Sequence, residues 1–268
     1  MRRTYLKNAL ATLLLSSLAT GAWAQGAWPA RPLRFVIPQA AGTSNDVLAR
    51  TLADQLAREL KQAVVVENKP GANGSLAASF LLSQPADGYT LFMAGVSNLA
   101  WNPYLYSNLP YDPARDFEGV AVFADTPFVS IVSPKLGVKS FAQFKELVQK
   151  SPGKYTYASA GIGNSTHLAT ELIKKQVGLK MEHAPFNGPG ATTSVIAGDT
   201  PFMTTPPGAI SEMIKSGKLV AIAVTGDKRL KAFPDVPTYK ELGYDIAVPG
   251  WYSIVMKKGT GPQIVKKL

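Results

Sequence analysis

Apolar positions in this chain follow two alternating rhythms. Short runs rich in β-branched residues, closed by Pro, Gly or small polar residues, predict strands at 33–38, 64–67 and 90–94. Between them Val47, Leu48, Leu52, Leu56 and Leu60 fall on one helical face, so 46–60 reads as a helix, and 75–83 as a second. Strand, helix and strand in succession imply parallel pairing, since the helix carries the chain back to the starting edge. A second series follows, with strands at 129–132, 155–158, 182–185 and 220–224. Its helices are expected at 140–149, 167–177 and 191–197, with a helical turn at 210–217. The chain is expected to cross between the two units near 124–127 and to return through the Lys/Arg/Pro-rich stretch 227–237. Two crossings imply a two-lobed α/β body with a cleft and a hinge, each lobe a mostly parallel sheet flanked by helices. The boundaries are 25–124 plus 227–268 for the first lobe and 125–226 for the second.

Four times an apolar run breaks into glycines and small hydroxyl or amide residues and then enters a helical pattern, at 34–46, 90–98, 155–167 and 182–192. Free backbone N–H groups and the positive end of a helix dipole then face the crevice, which suits an anion-sized ligand.

The N-terminus adds a location. Arg2, Arg3 and Lys7 precede a mostly apolar stretch, 9–19, and Ala22-Trp23-Ala24 before Gln25 has the small-x-small form of a cleavage site. Residues 1–24 therefore read as an export signal cleaved after Ala24, which sends the mature chain out of the cytoplasm. Arg2-Arg3 fits either the general or the twin-arginine route. There is no cysteine, hence neither a disulfide framework nor a lipidated anchor. The formal net charge is +10, three of it in the leader, and the rest is scattered without a basic stripe interleaved with aromatics. Nucleic acid is not an expected partner.

Chemistry beyond binding finds little footing. His167 lies two residues from Ser165, but no G-x-S-x-G elbow occurs. His167 and His183 are the only histidines, too few for a metal set, and no dinucleotide or phosphate-loop motif is present. No cofactor and no metal are expected.

Several segments together carry a family resemblance. They include Arg31-Pro32-Leu33-Arg34-Phe35-Val36-Ile37-Pro38, Glu67-Asn68-Lys69-Pro70-Gly71-Ala72-Asn73-Gly74, Pro85-Ala86-Asp87-Gly88-Tyr89-Thr90-Leu91, Tyr157-Ala158-Ser159-Ala160-Gly161 with His167-Leu168-Ala169, and Pro234-Asp235-Val236-Pro237-Thr238. In this order they resemble the Bug-type extracytoplasmic solute receptors, the substrate-binding proteins of tripartite tricarboxylate transporters. The resemblance implies a Venus-flytrap periplasmic-binding-protein fold that closes, as a monomer, on a small carboxylate and presents it to the transporter's membrane components. It implies first-lobe contacts from Gln39, Gly42, Thr43, Ser44, Ser97 and Asn98, with Trp101 near the cleft. From the second lobe it implies Ser159, Ala160, Gly161, Asn164, Ser165, His167, Asn187 and Thr204. Asp46 is read instead as a structural partner of Arg50 at i,i+4.

Two departures matter. Where many family members carry an acidic residue facing the ligand, this chain has Met203-Thr204-Thr205, so the expected ligand lacks an ammonium group: a dicarboxylate, hydroxy acid or aromatic carboxylate. The chain also stops at Leu268, at what reads as the first turns of a helix, and is expected to be truncated within the first lobe. Transport is weighed against a receptor that signals to a sensor kinase, and against a periplasmic hydrolase.

Overall fold

The computed structural model describes residues 28–268; the export signal expected at 1–24 lies outside them. The first sheet holds β1 (Leu33–Ile37), β2 (Val64–Asn68), β3 (Thr90–Gly95), β4 (Phe117–Asp125) and β10 (Trp251–Lys257), in spatial order β2-β1-β3-β10-β4. The second holds β5 (Val129–Val132), β6 (Thr156–Ser159), β7 (Glu182–Pro185), β8 (Phe202–Thr205) and β9 (Val220–Val224), in order β7-β6-β8-β5-β9. The two follow one plan. Three parallel strands lie at one side, and the fourth position, β10 or β5, runs antiparallel to both neighbours. The helices α1 (Ser44–Leu60), α2 (Ser75–Ser83), α3 (Phe141–Lys150), α4 (Ser165–Val177), α5 (Gly190–Ala197) and α6 (Pro262–Lys267) cover the sheets. None of the described helices is long and apolar enough to cross a membrane.

Each sheet has its own apolar core. Leu33, Phe35, Ile37, Leu91 and Met93 pack under α1 through Ala49 and Ala53, while Val36, Phe92 and Ala94 face α2 on the other side. Alternation along one strand thus feeds two layers, as period 2 requires. In the second sheet Phe144 of α3 stacks on Phe202 with centroids 4.7 Å apart, and Ile173 and Val177 of α4 join the same core.

The chain passes to the second sheet between Asp125 and Val129, close to the expected crossing. Its return comes later than the 227–237 expected. Tyr239, Ile246 and Val248 are still core residues of the second sheet, and Thr238 bridges Val224. The Lys/Arg/Pro-rich surface marks a loop that lies on this sheet, while the apolar residues beyond it keep the chain there. The real crossing is at Gly250, whose carbonyl accepts from Thr126 N–H at 2.6 Å. The two crossings therefore run side by side. A Cβ on Gly250 would meet the Thr126 carbonyl oxygen, so only glycine permits this approach.

Candidate functional site

Two adjoining cavities occupy the cleft between the sheets. The inner one, about 100 Å³, is bounded by the first residues of three helices: Thr43, Ser44 and Asn45 at α1, Asn164, Ser165 and Thr166 at α4, and Pro189, Ala191 and Thr192 at α5. Its far wall is mostly apolar, from Met203, Pro206, Ala209 and Met213, with Tyr252. The outer cavity, about 610 Å³, shares Gln39, Thr43, Ala160, Asn164 and Gly188 with the inner one and extends along Pro70–Gly74, Tyr106, Ile162 and Asn187. Among the described residues no Asp, Glu, Lys, Arg or His side chain lines either cavity. The first-turn N–H groups of a helix have no intrahelical acceptor and carry the positive end of its dipole. Three such ends around one uncharged chamber make an anion cradle without a formal charge.

Local sequence explains how the helices start where they do. Thr43 caps α1, its hydroxyl accepting from Asp46 N–H, and Asn164 caps α4, accepting from Thr166 N–H. Asp46 is 5% exposed and takes hydrogen bonds from Gly42 N–H, Arg50 and Asn68, with Arg50 at i,i+4 as expected. Burial alone would raise its carboxyl; the three donors outweigh that and hold it below the ordinary range. The second-lobe loop is organised without charge. Ala160 N–H donates to Thr166 Oγ1 at 2.8 Å, Gly161 N–H to Ser159 Oγ at 3.1 Å and Gly163 N–H to His167 Nδ1 at 3.1 Å. Several loop N–H groups expected to meet a ligand are thus engaged within the protein, which leaves the helix starts as donors.

The structure gathers Gln39, Gly42, Thr43, Ser44, Ala160, Asn164 and Ser165 around the inner cavity and Gly161 and Asn187 around the outer one. It places Ser97, Asn98, Ser159, His167 and Thr204 elsewhere. Ser97 is buried at the start of a π-helical turn, Ser97–Trp101. Asn98 accepts from Gly95 N–H and donates to the Asn73 carbonyl, so it shapes a loop rather than facing the cleft. Thr204 points to the opposite side of β8 from Met203 and Thr205 and meets Ser130 Oγ at 3.2 Å; its neighbour Thr205 takes the cavity position. Trp101 packs against the core of the second sheet.

Ser159 and His167 belong to a cluster behind the loop in which Tyr157 and Ser159 are buried and both histidines half-buried. Ser159 Oγ lies 2.6 Å from His183 Nε2, and the His167 and His183 rings stack with centroids 4.0 Å apart. Tyr157 stacks on His183 and donates to Glu171, which also pairs with Lys174. Burial lowers both imidazoles, His183 to about 4 with His167 adding to the effect. Ser159 is fully buried, and no carboxylate hydrogen-bonds His183 among the described residues, so this pair has neither substrate access nor an oriented base. The hydrolase reading falls on that geometry.

The sequence reading did not single out Asn73 as a contact. Gly71, Ala72, Asn73 and Gly74 all have positive φ, at 133°, 46°, 48° and 89°. Such backbone persists only where surroundings hold it. Here Asn98 Nδ2 and Asn102 Nδ2 both donate to the Asn73 carbonyl, and a Cβ on Gly74 would collide with Asn98. Asn73 Nδ2 then reaches across the cleft to the Gly163 carbonyl at 2.9 Å, and Asn164 Nδ2 returns to Asn73 Oδ1 at 3.3 Å. A second bridge runs from Ser44 Oγ, which donates to the Pro206 carbonyl at 3.0 Å and accepts from Ala209 N–H at 2.9 Å. The lobes are closed on each other.

A family model described as tripartite tricarboxylate transporter family receptor matches residues 48–268. The chain is 35% identical to protein BugT of Bordetella pertussis over 89% of its own length and 74% of that protein's. An R. palustris protein solved with adipate superposes with a TM-score of 0.86 at 30% identity, covering 89% of this chain and 80% of that one. MatC from Rhodopseudomonas palustris, solved with malate, gives 0.83 at 27% identity over 90% and 82%. The two-lobed α/β fold is that of periplasmic binding proteins, and the family and these neighbours are binding proteins rather than enzymes.

Proposed function

The chain belongs to the tripartite tricarboxylate transporter receptor family, and from that premise we propose that it captures a small carboxylate in the periplasm and delivers it to the transporter's membrane components. The observation that carries the ligand class is the convergence of three helix N-termini on a chamber lined by no charged side chain. A carboxylate there is held by N–H dipoles that need no counter-ion. A ligand ammonium would find no carboxylate partner, which favours dicarboxylates, hydroxy acids or aromatic carboxylates over amino acids. The adipate and malate of the two relatives fall within that class. Gln39, Gly42, Thr43, Ser44, Ala160, Gly161, Asn164, Ser165 and Asn187 are the proposed contacts, with Thr205 in place of Thr204.

A thermal-shift screen of carboxylic acids against their amino-acid counterparts tests the reading. A ligand at about 100 times its Kd adds about 2.7 kcal/mol of stability, an easily measured rise in Tm. A selective rise with one carboxylate is the expected result. Amino acids that outcompete their deaminated analogues would overturn the ligand class. Co-purification with the membrane components tests delivery, and capture of a sensor kinase instead would replace transport with signalling.

A further inference from the structure

The Gly163 peptide is gripped from both sides. Its carbonyl accepts from Asn73 of the first lobe at 2.9 Å, and its N–H donates to His167 Nδ1, within the second lobe, at 3.1 Å. Only a neutral imidazole with a free lone pair on Nδ1 can receive that N–H. A protonated His167 carries N–H on both nitrogens, so the bond is lost and two donors are set against each other. The neighbouring His183 ring, stacked at 4.0 Å, faces the same problem, because two imidazolium rings at that distance repel.

We propose that His167 is a positioning residue for lobe closure, holding Gly163 where Asn73 can latch it, and that acid releases the latch by protonating the histidine pair. The proposal rests on the receptor reading for the closing motion alone, not for the identity of the ligand. The groups facing the pair are named by the packing. From β6 comes Tyr157, from β7 His183 itself, and from α4 Glu171 and Lys174. Glu171 favours the imidazolium form of both rings, but Lys174, which pairs with it, opposes that, and burial outweighs the remainder. Burial keeps both rings neutral at pH 7, so release begins below the ordinary histidine value of 6.5, and His183 reaches half protonation only at about 4.

The chain has no cysteine, so a labelled pair introduced by Asp54→Cys on α1 and Gln176→Cys on α4, both exposed, reports the distance between lobes without interference. The measurement is made on ligand-free protein from pH 7.5 to 4, with circular dichroism following the fold. The expected result is a short distance at pH 7.5 that lengthens at low pH while secondary structure persists. His167→Gln, whose side-chain carbonyl can accept from Gly163 but does not titrate, should stay closed to lower pH. Asn73→Ala should be open throughout. A wild-type distance that is constant with pH, whether short or long, overturns the proposal, as does a His167→Gln profile identical to wild type. If His167→Gln does not fold, His183→Gln narrows the same titration and replaces it. Because no ligand is added, a carboxylate screen that finds nothing leaves this test decisive, and the reverse also holds.

Discussion

The loops that begin α1 and α4 face each other across the cleft with similar backbones and different chemistry. Each follows a parallel strand, turns through glycine and is capped by a side-chain oxygen on an early N–H. The first is secured by an ion, Asp46, which gathers Gly42, Arg50 and Asn68. The second is secured by hydroxyls and a neutral imidazole. A carboxylate held below its usual range keeps its charge into acid, whereas the imidazoles lose neutrality first. The two sides of the cleft are thus built to the same geometry with different tolerance of pH, and neither places a formal charge in the chamber.

The shared feature breaks most severely with Thr205→Asp. A carboxylate set about 4 Å from a bound carboxylate costs about 4 kcal/mol at an effective dielectric of 20, close to a thousandfold in affinity. Calorimetric titration should show this loss for carboxylates, alongside a lower Tm of the free protein, because Thr205 is only 6% exposed and the new carboxylate finds no partner. Next, Asp46→Ala strips three donors of their acceptor and should cost about 2–3 kcal/mol of stability in urea unfolding, far more than Thr166→Ala in the uncharged loop. Ser44→Ala and Asn164→Ala each remove cross-cleft hydrogen bonds, of about 1 kcal/mol. Ser44→Ala should weaken ligand binding at little cost in Tm, while Asn164→Ala lowers both, since it also caps α4.

The last contrast is the pH dependence of Tm. The lowered imidazoles favour the folded state above the unfolded value of 6.5, and that contribution fades as pH falls toward about 4 for His183. The depressed carboxyl of Asp46 withdraws its support only at lower pH still. Hydrogen exchange should therefore show amides around 160–163 loosening at higher pH than those around 42–46. Simultaneous loosening would erase the contrast between the loops.

Elements whose own residues carry a period were legible in the chain. The strand and helix at 33–60 need only local apolar spacing, and the second lobe's helices emerged within a residue or two. The strands β4, β8 and β10 went unread because their short runs carry little signal of their own and their pairing is set by partners distant in the chain. Loop composition likewise pointed to the cleft-lining segments at 39–44 and 160–165, but not to which side chains turn inward. Thr204 and Thr205 are chemically equal in sequence, and only the register of β8 against β5 and β6 separates them. Asn73 carries no local signal of contact, since its role depends on a carbonyl ninety residues later in the chain.

The side-by-side crossings at Thr126 and Gly250 confine how this molecule can move. Joined by their own hydrogen bond at a point where no side chain fits, they form a narrow two-strand strap. Such a strap resists sliding and shear yet twists and bends with ease, so the lobes swing as rigid halves with both cores intact. The contacts that join the halves across the cleft, the Asn73 and Ser44 bridges, then act on whole lobes instead of dissipating in rearranged packing, so a few polar bonds decide whether the halves stay shut.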